Sequence, residues 1–344
     1  MRKLIEKRSK ILIKTYCFES GLWYLAKSLG DKLIREGHSV IYIPKARYID
    51  NGGMFRRGYQ EPLNKAEFAT EPIKAFSDHI SVYDQIHSVV ESFGADYIIS
   101  FETLIEMSRW IPIIKGKTGV KIIDVPMIEW VTKRFLPDGY KMFDEVWTLT
   151  DVSRDLFSCC KNVRRVDWDF VDRELFYKEE HNIGTTVKFY HAASLNTEHS
   201  TKNTDIILQA FDKFIGNVSP DTELILTGNI KGYGNLKIIE RHANIKLLDE
   251  VLSRKKIAKL YQNTDCIIAP SSREGLGLSF FESEACGCKL ITTDSPPMNS
   301  HLTPYLCKPI GFKKDKSLIP SAILEQEEIY KQIIKAYEDI KCRI

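Results

Sequence analysis

Short apolar runs alternate with amphipathic stretches along almost the whole chain, and that alternation constrains the fold more than any other feature. Lys10 to Thr15 has the length and apolarity of a strand. Ser20 then caps a helix in which Leu22, Leu25, Leu29 and Leu33 recur at helical spacing. Gly37 ends that helix, and Ser39 to Ile43 is the next strand. A strand-helix-strand opening implies parallel strands with both faces covered. The pattern resumes with a helix over Val82 to Ser92 and strands at Asp96 to Ser100, Val120 to Asp124, Glu145 to Thr150 and Val163 to Trp168.

A polar stretch from His181 to Thr186 interrupts the series, and a second one follows. It predicts strands at Val187 to Ala192, Glu223 to Leu226, Ile245 to Leu248, Asp265 to Pro270 and Lys289 to Thr293. Helices are predicted over Asp205 to Phe214, Ser253 to Asn263 and Leu278 to Cys286. The fold class is α/β in two halves. With 344 residues the chain exceeds what one core usually supports. The expected domains are 1–183 and 184–324, followed by a helical segment at 325–344. In that segment Ile329, Ile333, Tyr337, Ile340 and Ile344 form one apolar face, expected to pack back on the first domain. Lys45 to Lys74, rich in Gly, Arg and Tyr, reads as a long surface loop, and loops of that length are usually functional.

Composition removes several function classes. Lys and Arg total 49 against 46 Asp and Glu, a formal +3 that does not call for a polyanionic partner. Nucleic acid is therefore an unfavoured partner, without being excluded. The basic start, Met1 to Lys14, has an apolar run of only Ile11 to Ile13, too short for a secretory signal, and no stretch approaches the ~20 apolar residues of a membrane span. The expected location is the cytoplasm, with at most a peripheral contact on the cytoplasmic face of a membrane. The 8 cysteines form no CxxC pair and there is no HExxH, so reduced thiols and no metal site are expected.

The most informative window runs from Pro270 to Glu282. It follows a strand of buried type and opens a helix, so its glycines sit where ligands bind in an open α/β sheet. Backbone N–H groups and a helix N-terminus at such a place suit a phosphate. Glu274 and Glu282 lie eight positions apart, about two helical turns, so both carboxylates can face one bound molecule.

Glu274 to Ile291, EGLGLSFFESEACGCKLI, resembles the E-x7-E signature of the retaining glycosyltransferases of family 4, the group 1 glycosyltransferases. Gly37-His38-Ser39-Val40, Val171-Asp172 with Phe176, Lys202 before its helix, and Asp294 to Asn299 match further segments of that family. The resemblance implies the GT-B fold, two facing Rossmann-like domains with a cleft between them. The first binds an acceptor and the second a nucleotide diphosphate sugar. It also implies roles. Glu274 contacts the donor sugar, Lys202 and the N–H groups of Gly275, Leu276, Gly277 and Leu278 hold the diphosphate, and Glu282 holds the ribose. Where the family often carries an arginine, at position 197, this chain has Thr197, so either Arg273 is the candidate to supply that charge or the diphosphate is held more weakly. Gly21 is a further expected donor contact, and His191 is read either as another, touching the donor phosphate, or as a packing histidine with its hydrogen bonds satisfied.

Most members of that family place a histidine after the strand corresponding to Val120 to Asp124, whereas this chain has Glu129 in the segment that follows. Glu129 is therefore the candidate polar group at the reaction centre, and Arg56, Arg57, Tyr59 and Glu102 are candidates for the acceptor. No cofactor or metal is expected beyond the donor. Asp167-Trp168-Asp169 has the DxD form that can hold a metal-bound diphosphate, but it lies at the end of the first half. Two alternatives stay open: a GT-B-shaped nucleotide-sugar-binding protein without turnover, and a transferase acting on modified DNA bases. The acceptor itself, whether glycan, lipid-linked or other hydroxyl, is not specified by these residues.

Overall fold

The computed structural model describes residues 3–15, 21–44, 82–102, 111–179, 185–193, 201–228, 236–249, 252–314 and 316–342. Its contacts divide the chain into two units, Met1–Phe170 and Val171–Ile344. The boundary differs from the expected 183/184 because Val171 and Phe176 are buried in the second unit's core, beside Tyr190 and Tyr261.

The first unit holds a parallel six-stranded sheet in the order β2-β1-β3-β4-β5-β6. Its strands are β1 (Lys10–Thr15), β2 (Ser39–Pro44), β3 (Tyr97–Phe101), β4 (Lys121–Val125), β5 (Glu145–Thr148) and β6 (Val163–Arg165). Helices α1 (Gly21–Arg35), α2 (Val82–Phe93), α3 (Ile111–Thr118) and α4 (Asp151–Leu156) are interleaved with them. Helix α1 buries Trp23, Leu25, Leu29 and Leu33, and Gly30 is required on that face because a Cβ there would stand 1.9 Å from the Tyr42 hydroxyl oxygen. Two of the helices escape the periodicity argument. Helix α3 carries Pro112 in its first turn, where proline costs no hydrogen bond, and Gly116 near its end. Helix α4 is opened by a capping box in which Ser153, rather than Glu or Gln, answers Thr150.

The second unit repeats the design with the order β12-β11-β10-β7-β8-β9. The strands are β7 (Val187–Ala192), β8 (Thr222–Thr227), β9 (Ile245–Leu248), β10 (Cys266–Ala269), β11 (Lys289–Thr293) and β12 (Tyr305–Cys307). Helices α5 (Thr204–Asn217), α6 (Leu236–Arg241), α7 (Arg254–Gln262) and α8 (Leu278–Ala285) connect them, and a small antiparallel hairpin, β13 (Gly311–Lys313) with β14 (Ser321–Ile323), follows. The chain runs outward from β7 through β8 to β9, then returns to the other side of β7 with β10. The β7/β10 pair is thus the point where the strand order reverses, the place at which open α/β sheets bind their ligands.

Alternation along these strands feeds two cores. Val187, Phe189, Cys266, Ile268 and Ile291 face one side, while Tyr190, Ile267 and Leu290 face the other with α7 and α8. The last helix, α9 (Gln326–Lys341), belongs to the first of these cores. Its Ile329, Ile333, Ala336 and Ile340 are buried among Phe211, Phe214 and Tyr305. The expectation that this segment packs on the first domain is corrected accordingly. Tyr337 bonds Ser219 at 3.0 Å and Tyr305 donates to Asp339 at 2.6 Å, which fix the helix in place. Among the described residues no helix is long and apolar enough to cross a membrane.

Because Ile333 is fully buried in this core, Ile333→Ala is expected to cost about 3 kcal/mol of unfolding free energy. The exposed neighbour Lys331→Ala is expected to cost under about 0.5 kcal/mol. Urea titration of the two variants checks the assignment of α9 to the second unit.

Candidate functional site

Two loops meet at the carboxyl edge of the second sheet, one after β7 and one after β10, and three described bonds join them. The Ser272 N–H donates to the Thr201 carbonyl at 2.7 Å, the Asn203 side-chain amide donates to the Pro270 carbonyl at 2.7 Å, and Lys202 forms an ion pair with Glu274. Thr293, at the end of β11, adds a 2.6 Å hydrogen bond to the Ser271 carbonyl. Lys202 and Glu274 are therefore brought together by anchored backbone rather than by chance contact of long side chains. Glu274 is 8% exposed, so its charge is largely removed from water and the Lys202 ammonium compensates it.

The segment after Glu274 turns into α8 at Gly277, which has a left-handed backbone at φ +73°. A Cβ at that position would lie 2.5 Å from the Phe280 ring. Glycine is therefore needed both for the turn and for the ring beneath it. Gly275, Leu276 and Gly277 are buried, and no described backbone carbonyl takes the N–H groups of Gly275 to Leu278. These donors gather at the start of α8, where the helix dipole also favours negative charge.

Glu282 lies further along α8 and is 4% exposed. Its partner is Arg254, the first residue of α7, which forms an ion pair with it and stacks its guanidinium 4.3 Å from the centroid of Phe176. Burial pushes the Glu282 carboxyl up from its ordinary range, and Arg254, with a hydrogen bond from Tyr261, pulls it back down. Sequence reasoning did not single out Arg254. The contact joins positions 28 residues apart, and a helix-capping Ser253 followed by a basic residue looks like ordinary helix surface. The only sequence hint was the family-matching Phe176, which forms the guanidinium's platform.

Other expected donor contacts fall differently. Arg273 donates to Ser321 of β14 at 3.3 Å, and the Ala322 N–H donates to the Ser272 carbonyl at 2.8 Å, so the hairpin is tied to the Glu274 loop. His191 is 1% exposed and both its ring nitrogens are engaged. Nδ1 donates to the Ile268 carbonyl at 2.7 Å, a tautomer set because that oxygen can only accept, and Nε2 accepts from the Thr204 hydroxyl at 2.9 Å. The expected phosphate contact of His191 is replaced by a bridge between β7, β10 and the first residue of α5. Lys202 precedes that helix, so His191 positions the strand ends and helix start around it.

In the first unit Glu102 and Glu129 both follow strands, β3 and β4, and lie at the same edge of their sheet. Glu102 has φ +51° and Glu129 sits half-buried in a turn closed by a 3.0 Å bond from the Trp130 N–H to the Met127 carbonyl. Gly21 opens α1, with open space around the position its Cβ would take. Arg56, Arg57, Tyr59 and Thr197 lie outside the described residues. Asp167 and Asp169 are exposed on either side of the buried Trp168 in alternating register. Among the described residues no group of three or more His, Cys, Asp or Glu is arranged to hold a metal.

Residues 176–341 match the family model for glycosyl transferases group 1, a span that takes in almost all of the second unit. The second unit thus resembles the group 1 glycosyltransferases in sequence. The chain is 24% identical over 200 residues to N-acetyl-alpha-D-glucosaminyl L-malate synthase of Bacillus anthracis, covering 54% of this chain and 50% of that enzyme. The chain thus matches about half the length of this curated relative. Among solved structures, sucrose-phosphate synthase from Thermosynechococcus elongatus aligns with a TM-score of 0.68 at 11% identity, over 97% of this chain and 91% of that one. The pneumococcal O-GlcNAc transferase solved with UDP and GlcNAc aligns with a TM-score of 0.64 at 12% identity, over 97% and 93%. These alignments span both α/β units, and the fold class is GT-B, as the resemblance implied.

Burial lowers His191 to about 4 from its ordinary 6.5, so the folded state carries it neutral while the unfolded chain takes up a proton near 6.5. The stability tied to neutral His191 is complete above pH ~6.5 and is lost as pH falls from there toward 4, in total about 3 kcal/mol. His191→Gln, whose amide can make both bonds without titrating, is expected to flatten the melting temperature profile between pH 6.5 and 4.5. A profile as steep as that of the unaltered protein would show that other groups carry the acid sensitivity.

Proposed function

We propose that this protein is a retaining glycosyltransferase that moves a sugar from a nucleotide diphosphate sugar to a hydroxyl acceptor. The observation that carries the reading is the Lys202–Glu274 ion pair held against the Gly277-capped start of α8 at the strand switch point. When the glycosidic bond to phosphate breaks, negative charge develops on the departing diphosphate and positive charge on the anomeric carbon. Catalysis then requires fixed groups of opposite sign aimed at each. Lys202 and the N–H groups from Gly275 to Leu278 are the donors for the diphosphate. Glu274, beside them, is the acceptor for the sugar hydroxyls and for the charge that grows next to them. Glu282 supplies a carboxylate for the ribose.

The acceptor is assigned to the first unit, with Glu129 and Glu102 at the carboxyl edge of its sheet and Arg56, Arg57 and Tyr59 beyond the described residues. A glycan, a lipid-linked sugar or another hydroxyl compound fits this reading. The diphosphate is balanced by side-chain and backbone donors rather than by a carboxylate-held cation. Turnover is therefore expected to survive excess chelator. If chelation abolishes it and manganese restores it, the exposed pair Asp167 and Asp169 becomes the better site for the diphosphate.

Release of nucleoside diphosphate from UDP-, GDP- and ADP-sugars, with and without acceptors, tests the activity itself. Glu274→Gln is expected to lower kcat by about a hundredfold, because it removes a charge whose interaction strengthens in the transition state. Glu282→Ala is expected to act mainly on KM, since its ribose contacts are the same in ground and transition states. Full kcat in Glu274→Gln would overturn the sugar-facing assignment and turn attention to Glu129 and Glu102.

A further inference from the structure

Glu282 is asked to accept hydrogen bonds as a carboxylate from a position with 5% side-chain exposure, where a lone charge is strongly disfavoured. We propose that Arg254 is a positioning residue for the nucleotide donor, holding the Glu282 carboxylate charged and aimed so that two ribose hydroxyls meet an acceptor already in place. This rests on the reading of Glu282 as the ribose ligand.

The geometry supports it from three sides. Arg254 begins α7 and Glu282 lies within α8, so the ion pair links two helices on the same face of the second sheet. Phe176, from the segment ahead of β7, stacks on the guanidinium and holds its plane. That leaves the fork of N–H groups pointing at the carboxylate, an orientation a lysine cannot reproduce. Among the described residues the other groups facing Glu282 are Tyr261 of α7, Tyr190 of β7 and Cys286 at the end of its own helix. Burial and the nearby carboxylate push both tyrosines and the cysteine up, so these groups stay protonated and neutral. Tyr190 is further held by a 2.7 Å bond to Thr227. Of the described groups facing Glu282, Arg254 is the one that brings positive charge.

Without it, burial acts on the carboxyl with only a tyrosine hydroxyl to oppose it, and the group takes up a proton closer to neutral pH. A protonated carboxyl has one oxygen committed as a donor and is a poorer acceptor for two hydroxyls. Arg254 touches neither sugar nor phosphate in this scheme. Its effect appears as a pH dependence of donor affinity, which a purely structural role would not produce.

Calorimetric titration with UDP from pH 6 to pH 8.5 tests this on the full chain, with Arg254→Gln, Arg254→Lys and Glu282→Gln alongside the unaltered protein. The Glu282→Gln curve carries only the titration of the nucleotide's own phosphate and serves as the baseline. The unaltered protein is expected to follow that slope at higher affinity. Arg254→Gln is expected to bind at least tenfold more weakly at pH 6 and to recover toward pH 8.5, with Arg254→Lys between the two. Arg254→Gln following the unaltered protein, or losing the same factor at every pH, overturns the inference while leaving Glu282 as a ligand. Glu282→Gln with unchanged affinity overturns the reading of Glu282 itself. Should Arg254→Gln fail to fold, Phe176→Leu removes the stacking platform and keeps the charge. It is expected to show a smaller slope of the same sign, and a slope identical to the baseline would overturn the proposal.

Discussion

Parallel pairing of β7 with β10 is the constraint on which the second unit depends. In a parallel sheet every strand delivers its carboxyl end to the same edge, so loops distant in sequence must emerge side by side. Lys202 follows β7 and Glu274 follows β10. They meet because those strands are neighbours, although 72 residues separate them along the chain. His191 stabilises this arrangement from inside, bonding the last residues of both strands' cores to the start of α5. Burial keeps it neutral there.

Charge in this unit is consistently paired where it is buried. Two carboxylates, Glu274 and Glu282, each have a cation supplied by a different element, and neither cation is near in sequence. Such pairs add little net stability, because desolvation offsets most of the attraction, but removing one partner strands the other. Their value lies in holding oriented charge in a dry setting, where an incoming diphosphate or ribose finds it without reorganisation. The hairpin tied to Ser272 and Arg273 extends the same logic to the backbone: a segment after the sheet braces the loop that carries Glu274.

Much of this was legible in the sequence. The main strands of both sheets announce themselves as apolar runs bounded by turn residues, and the EGLGLSFFE window marks the loop with its two carboxylates and required glycine. What stayed hidden was of two kinds. Local features escaped when their chemistry was unusual, as with Pro112 inside the first turn of α3, Ser153 as the answering cap of α4, and three-residue strands such as β12 and β13 that are too short to show a period. Addresses escaped altogether. The spacing of Ile329, Ile333 and Ile340 predicts an apolar face but not which core receives it, and nothing around Arg254 or His191 in the sequence tells which distant group each will bond.

The place of α9 has a consequence for how the protein is made. Its isoleucines complete a core whose other walls, Phe189, Phe211 and Phe214, are synthesised more than a hundred residues earlier. Until residues 326–341 have cleared the ribosome, that apolar surface has no cover, whereas the strands of the first unit have long been available to pair. Domains tend to fold as units, amino-terminal first, during synthesis. The second unit is therefore the late and exposed one, and it is the half on which a chaperone that binds apolar surface would act.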